Sequence, residues 1–397
     1  MKNTLVPTPT LILLLAALMA MTPLAIDAYL PAIPTMADYF NVSVHDTEIS
    51  LSVFLAGFAL GQIIGGPFSD HFGRRASVGT GLSLFCIGTL GILFSPDMHT
   101  LWGFRVLEAF GGGLAAVNSS AVIRDLSQGS DSAKHLSNIA IVMMLAPLLA
   151  PLIGMGLLFI SGWKLIFIFL LTYGLLIGSV LFFRLPETRK ISNVRTNAYQ
   201  RYRMVVTHRY ALGFIFSQCL AMGGMFAFIT GSPSVFMGYF GVSETLYPFL
   251  FGANVLGMMI INRINNRLLK SNKPAHLLSV GQTLQVTSGL LLLLYVSLFS
   301  TISLWVLIPL MISFIGSMGF IASNSMSSTI EFFPHNSATA TALIGAMGFA
   351  TGALSGFLVG LWGDGTPLPM AVVMFICALA GPTLRALMQF GQQVPAQ

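Results

Sequence analysis

Apolar stretches of about twenty residues recur along almost the whole chain, parted by short polar segments. A helix crossing a bilayer needs roughly that length, and lipid leaves no other open structure available to a chain of this kind. The stretches fall at 10–33, 47–69, 77–96, 100–123, 137–160, 164–184, 210–232, 245–269, 275–298, 302–325, 336–361 and 367–389. Only 8% of the residues are charged, against about a quarter in a soluble domain. The expected fold is an all-α membrane protein with twelve transmembrane helices and no room for a folded soluble domain.

The longest internal polar stretch runs from Arg184 to Arg209 and splits the spans six and six. It predicts an N-terminal bundle at 1–184, a basic linker at 185–209 and a C-terminal bundle at 210–397. Such a linker suits two bundles that rock against each other, and equally a solvated tether that anchors topology. The net charge of +6 would suit a nucleic-acid partner, but its distribution excludes one. With the N-terminus inside, every Lys and Arg except Lys164 and Arg105 falls on the cytoplasmic side. Both termini are therefore expected in the cytoplasm, and the chain in an inner (plasma) membrane. Cys86, Cys219 and Cys377 lie in separate spans and form neither a disulfide framework nor a metal pattern. No G-x-x-x-x-G-K-[ST] loop occurs, so ATP is not the fuel and no cofactor is expected.

Asp27, Arg105 and Glu108 are singled out as ionisable residues within spans, where a charge costs at least a few kcal/mol. Counting at 1.5 Å per residue, Asp27 lies roughly 7 Å, Arg105 roughly 10 Å and Glu108 roughly 6 Å outward of the span centres. If the first and fourth spans adjoin, the three form one charge cluster in the outer half of the bilayer. Blander readings stand beside this one. Asp27 precedes Pro31 and Pro34 and can be a helix-end acid. Arg105 can snorkel outward near Trp102, and Glu108 can simply neutralise Arg105. All seven histidines fall in loops or near span ends, so the in-span proton carrier is a carboxylate.

Between the second and third spans stands GPFSDHFGRR, a charged run read as a tight hairpin at the membrane surface. Gly66, Asp70, Gly73, Arg74 and Arg75, with Arg124 and Asp125 at the inner end of the fourth span, are candidates for a conformational latch. The corresponding loop of the second half, Asn262 to Pro274, keeps Arg267 but lacks the Asp and the Gly-Arg-Arg. The halves therefore read as a faded repeat with coupling concentrated in the first. The fifth span holds APLLAPLIGMG, where Pro147, Pro151 and Gly154 predict a bend or sliding surface, or a static kink. Met225, Phe226 and Phe228 of the seventh span suit an adaptable apolar binding surface, although most of the 21 Met and 31 Phe pack in the core or face lipid. Asn118, Asn138, Asn254 and Asn324 are in-span amides that orient a ligand or bridge helices.

The pattern G-x-x-x-D-x-x-G-R-R resembles the signature loop of the major facilitator superfamily. The chain is most similar to its twelve-span drug/proton antiporters of the bicyclomycin and chloramphenicol resistance group. Asp27 with Tyr29-Leu30-Pro31 resembles the group's D-M-Y-L-P, with Ala28 in place of Met. Arg105 matches the embedded arginine of helix four, and Arg124-Asp125 the R-D at its inner end. Glu108 stands where the group usually has Gln and adds a charge. APLLAPLIG is similar to the helix-five antiporter motif, and Leu185-Pro186-Glu187-Thr188 to the close of helix six.

The resemblance implies a monomeric, non-enzymatic transporter that exports small, largely apolar drugs against protons by alternating access. Tyr29, Asn118, Met225, Phe226, Phe228, Asn254 and Asn324 would then line the substrate path. It also implies that Asp70 faces the start of helix eleven, His335 to Ala340, with Ser337 as a cap. A dedicated metabolite transporter on the same fold is the alternative. A receptor or scaffold is disfavoured by the signature loop and the buried charges.

Overall fold

The computed structural model describes residues 8–127, 129–188, 198–334 and 336–391, and among them every regular element is helical. The first half holds α1 (Pro9–Asp27), α2 (Ile33–Phe40), α3 (Val44–Phe72), α4 (Arg74–Leu93), α5 (Met98–Leu126), α6 (Gly129–Ser161) and α7 (Trp163–Arg184). After α8 (Ala198–Thr207) come α9 (Arg209–Pro233), α10 (Tyr247–Leu268), α11 (Pro274–Leu298) and α12 (Leu304–Gly316). The last are α13 (Met318–Ile330), α14 (Ser337–Leu361) and α15 (Leu368–Gln389). Eleven helical stretches among the described residues are long and apolar enough to cross a membrane. The remaining expected span is α10, 22 residues long. Asn262, Arg263, Asn265, Asn266 and Arg267 crowd its end and dilute its hydropathy.

Contacts divide the chain into two compact units, Met1–Arg195 with Gly241–Gly252, and Thr196–Phe240 with Ala253–Gln397. The segment from Gly241 to Gly252 thus falls outside the expected second bundle, and Thr35 of α2 donates to its Glu244 (3.1 Å). Within unit 1, α5 packs on both α3 and α4, α1 on α6, and α4 on α7. Within unit 2, α9 packs on α14 and α15, and α11 on α13 and α15. The basic linker is partly helical: α8 occupies its second half, and Val205 is buried against Ala211, Ile215 and Phe333.

Local sequence explains the helix boundaries. Ser43 and Asp46 form a reciprocal capping box at the start of α3. Asp97 caps α5, and the N–H and hydroxyl of Thr100 (2.9 and 3.0 Å) hold its carboxyl below the usual range. The run GPFSDHFGRR forms the tight hairpin expected, with a turn shorter than the span limits of 69 and 77 implied. α3 continues through Phe72, and the connection to α4 is Gly73 alone, at φ 100°. Gly66 and Asp70 are therefore helical. The first expected span is longer than its pattern showed. A 3₁₀ turn at Leu30–Ala32 joins α1 to α2, giving one membrane stretch from Pro9 to Phe40. The tenth span, in contrast, is broken at Ser317, whose hydroxyl bonds the Phe314 carbonyl (2.6 Å).

The contact between α3 and α5 is made possible by small residues. Gly57, Gly61 and Gly65 recur at i, i+4 and i+8, and an added Cβ at each would strike α5 at Val106, Phe110 and Val117. Gly61→Ala should therefore lower the stability of the purified protein by about 1–3 kcal/mol. Gly79→Ala has open space at its Cβ and should be neutral or slightly stabilising. Thermal unfolding of the two variants in detergent reads the difference; equal midpoints would refute close packing as the reason for the glycines.

Candidate functional site

The centre of unit 1 holds a wholly buried arginine. Arg105 of α5 donates from Nη1 to Glu108 Oε2 (2.8 Å) and from Nη2 to the Ala25 carbonyl of α1 (3.2 Å). Its guanidinium carbon lies 4.4 Å from the ring centroids of both Tyr29 and Phe54, and 5.7 Å from that of Phe167. Glu108, equally buried, accepts a second hydrogen bond from the Thr89 hydroxyl (2.9 Å). One charge pair is thus wrapped by residues from α1, α3, α4, α5, α7 and the turn after α1. The rings supply cation–π attraction where water is excluded. Snorkelling of Arg105 toward the surface is ruled out by its complete burial.

Asp27 does not join this pair. No ion pair to it occurs among the described residues, although α1 and α5 are in contact. The helix geometry explains why. Ala25 and Tyr29, four residues apart, share the face that meets Arg105. Asp27 lies midway in sequence, roughly 200° around the axis from each. The expected three-residue cluster is therefore a two-residue ion pair with a separate acid behind it. Asp27 is 3% exposed, and its Oδ1 has no hydrogen-bond partner among the described residues. It ends α1, as the blander reading expected, but not at the outer interface, because the membrane stretch continues through α2 to Phe40. Asp27 sits roughly 4 Å from the midpoint of Pro9–Phe40 along the axis.

The proline-bearing helix reaches this turn directly. Gly154 of α6 is pressed against the Ala28 carbonyl so closely that any side chain would collide with it. Pro151 and Pro147 lie about one and two turns earlier, and α6 runs without interruption from Gly129 to Ser161. The helix-five motif and the Asp27 turn are thus one packed unit.

The other end of unit 1 carries the signature residues. Arg74 bonds Asp70 through Nη1 (2.9 Å), Asp125 through Nε (3.2 Å) and the Ser69 hydroxyl (2.7 Å). Glu187 accepts from the backbone N–H groups of Arg74 and Arg75 (3.0 and 3.2 Å), capping α4. Thr188 donates to Asp125 (3.0 Å), and the Arg75 guanidinium lies 4.8 Å from the Phe182 centroid. Arg124 is exposed, with no ion pair among the described residues. His335 lies outside the described residues.

Several expected binding residues are engaged elsewhere. Asn118 accepts from Ser69 (2.5 Å) and donates to Ser77 (3.0 Å) and the Leu114 carbonyl (2.9 Å), tying α3, α4 and α5 together. Asn324 does the same in unit 2 through Asn265 (2.7 Å) and the Phe320 carbonyl (2.7 Å). Tyr29 lies under Arg105, with its hydroxyl 3.2 Å from that of Ser50. Phe226 packs on Phe349 and Gly352 of α14. Phe228 and Asn254 are buried, and Met225 is half-buried. Sequence reasoning did not single out Glu48, which is fully buried with Oε2 3.1 Å from His45 Nδ1. Its signal was present, since it stands just inside the second span. The capping role of Glu187 left no sequence signal beyond its place after Leu185-Pro186.

Comparisons with known proteins agree with this architecture. The Major Facilitator Superfamily model matches residues 13–356. A bicyclomycin resistance protein homolog of Haemophilus influenzae is 32% identical, covering 93% of each chain. A chloramphenicol resistance protein of Pseudomonas aeruginosa is 27% identical over 91% of this chain and 86% of its own. Among solved structures, the partially occluded inward-open xylose transporter XylE of E. coli superposes with a TM-score of 0.71 at 15% identity, covering 98% of each chain. The chain is a membrane-spanning transporter that belongs to the Major Facilitator Superfamily, and within it to the bicyclomycin and chloramphenicol resistance group.

Proposed function

We propose that this protein is a proton-coupled antiporter that exports small, largely apolar compounds from the bacterial cytoplasm by alternating access. The reading places it in the inner membrane with both termini cytoplasmic, as a monomer of two six-helix bundles. The observation that carries it is Asp27, a buried carboxyl with an unpartnered oxygen at the break between α1 and α2. A charge at that depth is costly, so such a group gains a proton when sealed from water and releases it when water enters. Arg105 is already compensated by Glu108, so Asp27 is left available to titrate. Contact of Gly154 with Ala28 gives any sliding of α6 a direct path to that turn. The names of the two resistance relatives support drug-like cargo.

Asp27→Asn should still bind substrate but lose proton-driven transport. Accumulation of a fluorescent drug in an efflux-deficient strain, with and without an uncoupler, reads this. Uncoupler-sensitive efflux by the variant would remove Asp27 from the mechanism.

Glu108→Gln keeps an acceptor for Arg105 but removes the compensating charge. Proton-driven transport should persist, because the proton is carried by Asp27 and not by Glu108. Glu108→Leu removes the acceptor as well and should cost roughly 3–5 kcal/mol of stability. Loss of coupling in Glu108→Gln would instead make Glu108 the proton carrier and refute the assignment to Asp27.

Asp70, Arg74 and Asp125 act as a latch that favours the outward-open state. Asp70→Asn should leave expression intact, slow turnover and shift the population inward-open. Spin-label distances across the cytoplasmic faces of the bundles measure the shift; unchanged distances would refute the latch.

A further inference from the structure

Arg385, one turn before the end of α15, has no acidic partner among the described residues. Its Nη1 donates to Gln282 Oε1 (2.9 Å) and to the Ser279 hydroxyl (3.1 Å). Nη2 donates to the Ala275 carbonyl (3.2 Å), and the guanidinium carbon lies 5.2 Å from the Phe214 ring centroid. All of these partners are neutral. A guanidinium has five N–H donors. Three are used here, and Nε and one Nη2 hydrogen have no partner among the described residues.

The unused donors adjoin a cavity of about 630 Å³ between α11 and α15. Its walls are unusual for the outer surface of a membrane bundle. Ser279, Thr283 and Thr287 line it at i, i+4 and i+8, all exposed, and Thr383 faces them from α15. The buried side of α11 is formed instead by Leu277, Leu278, Gly281, Gln285 and Leu292. The hydroxyl stripe therefore points away from the core of unit 2, into the surface that lipid covers. The cavity between the equivalent third and sixth spans, α4 and α7, is about 320 Å³ and holds no charged residue. Leu82, Leu175, Phe182 and Phe183 line it together with Ser83 and Ser179. The repeat thus offers an internal control: the same position is a smaller, uncharged crevice in one unit and a larger groove with a cation in its wall in the other.

Depth narrows the occupant. Ser279 lies roughly 8 Å along α11 from Pro274, and Arg385 roughly 6 Å from the end of α15. That is the level where headgroups meet acyl chains. We propose that the α11–α15 groove binds an anionic phospholipid, with its phosphate on Arg385 and its acyl chains descending along the groove past Thr283 and Thr287. Val286 and Leu379, also in the wall, meet the acyl chain. Charge complementarity selects an anionic headgroup, since Arg385 has no protein counter-ion among the described residues.

The test uses the full-length protein, delipidated in neutral detergent and titrated with phosphatidylglycerol or with phosphatidylcholine of the same acyl chains. Bound lipid is counted by native mass spectrometry. Phosphatidylglycerol should be retained in preference, and Arg385→Met should weaken it about five- to tenfold. Thr287→Trp fills the groove while leaving the protein bonds of Arg385 intact, and should weaken it comparably. That second variant decides the matter if Arg385→Met does not fold. Equal retention of the two lipids, or unchanged phosphatidylglycerol binding in Thr287→Trp, would overturn the proposal. Full displacement of the lipid by millimolar inorganic phosphate would overturn it too, in favour of a free-phosphate site.

Discussion

Everything in unit 1 is arranged around one burden: an arginine held where no water can reach it. A guanidinium in a low-dielectric interior needs a counter-charge, hydrogen-bond acceptors and polarisable surfaces. Arg105 obtains all three from different helices, through Glu108, the Ala25 carbonyl and the rings of Tyr29, Phe54 and Phe167. These demands fix the neighbours. α1 must bring its backbone against α5, α3 must bring an aromatic, and α4 must bring Thr89 to the second oxygen of Glu108. Close approach of that many helices is possible only where side chains are absent, as at Gly88, which abuts the Glu108 backbone.

The same arrangement separates two roles that the sequence blurred. Depth along a span is legible from residue counting, and it placed Asp27, Arg105 and Glu108 in the buried membrane interior. Direction around a helix axis is not, unless a second face is independently known. Ala25 and Tyr29 are a small residue and an aromatic in an apolar run, and nothing in them announces that they, rather than Asp27, face Arg105. The family pattern at 27–31 was legible as a motif, but its parts do different things. Tyr29 encloses the cation, Ala28 packs on Gly154, and Asp27 remains behind them with an unpartnered oxygen.

Helix ends show the same limit. The spans and most of their boundaries were legible because hydrophobic runs and caps are local. The connection between α3 and α4 was not, because charged residues at a membrane surface suit a helix end as well as a loop. Asp70 and Arg74 are an i, i+4 pair that bridges the single-residue turn at Gly73. Pro147 and Pro151 lie inside an uninterrupted α6. Membrane helices tolerate proline when neighbours re-satisfy the freed backbone.

The two halves show which features a repeat retains and which it loses. Asn118 joins α5 to α3 and α4, and Asn324 joins α13 to α10, with Ser69 and Asn265 in corresponding partner positions. An amide nitrogen that bridges helices inside a bilayer holds them together, and both halves keep one as scaffold. The charges have diverged. The first half buries Arg105 with Glu108 and adds the Asp70–Arg74–Asp125 network. The second half has no ion pair among its described residues, and its half-buried Arg385 sits at the periphery against neutral partners. A buried charge pair constrains every helix that touches it, so duplicating it would lock both bundles around ionic centres. Confining it to one bundle leaves the other free to line its interior with aromatic, methionine and amide side chains.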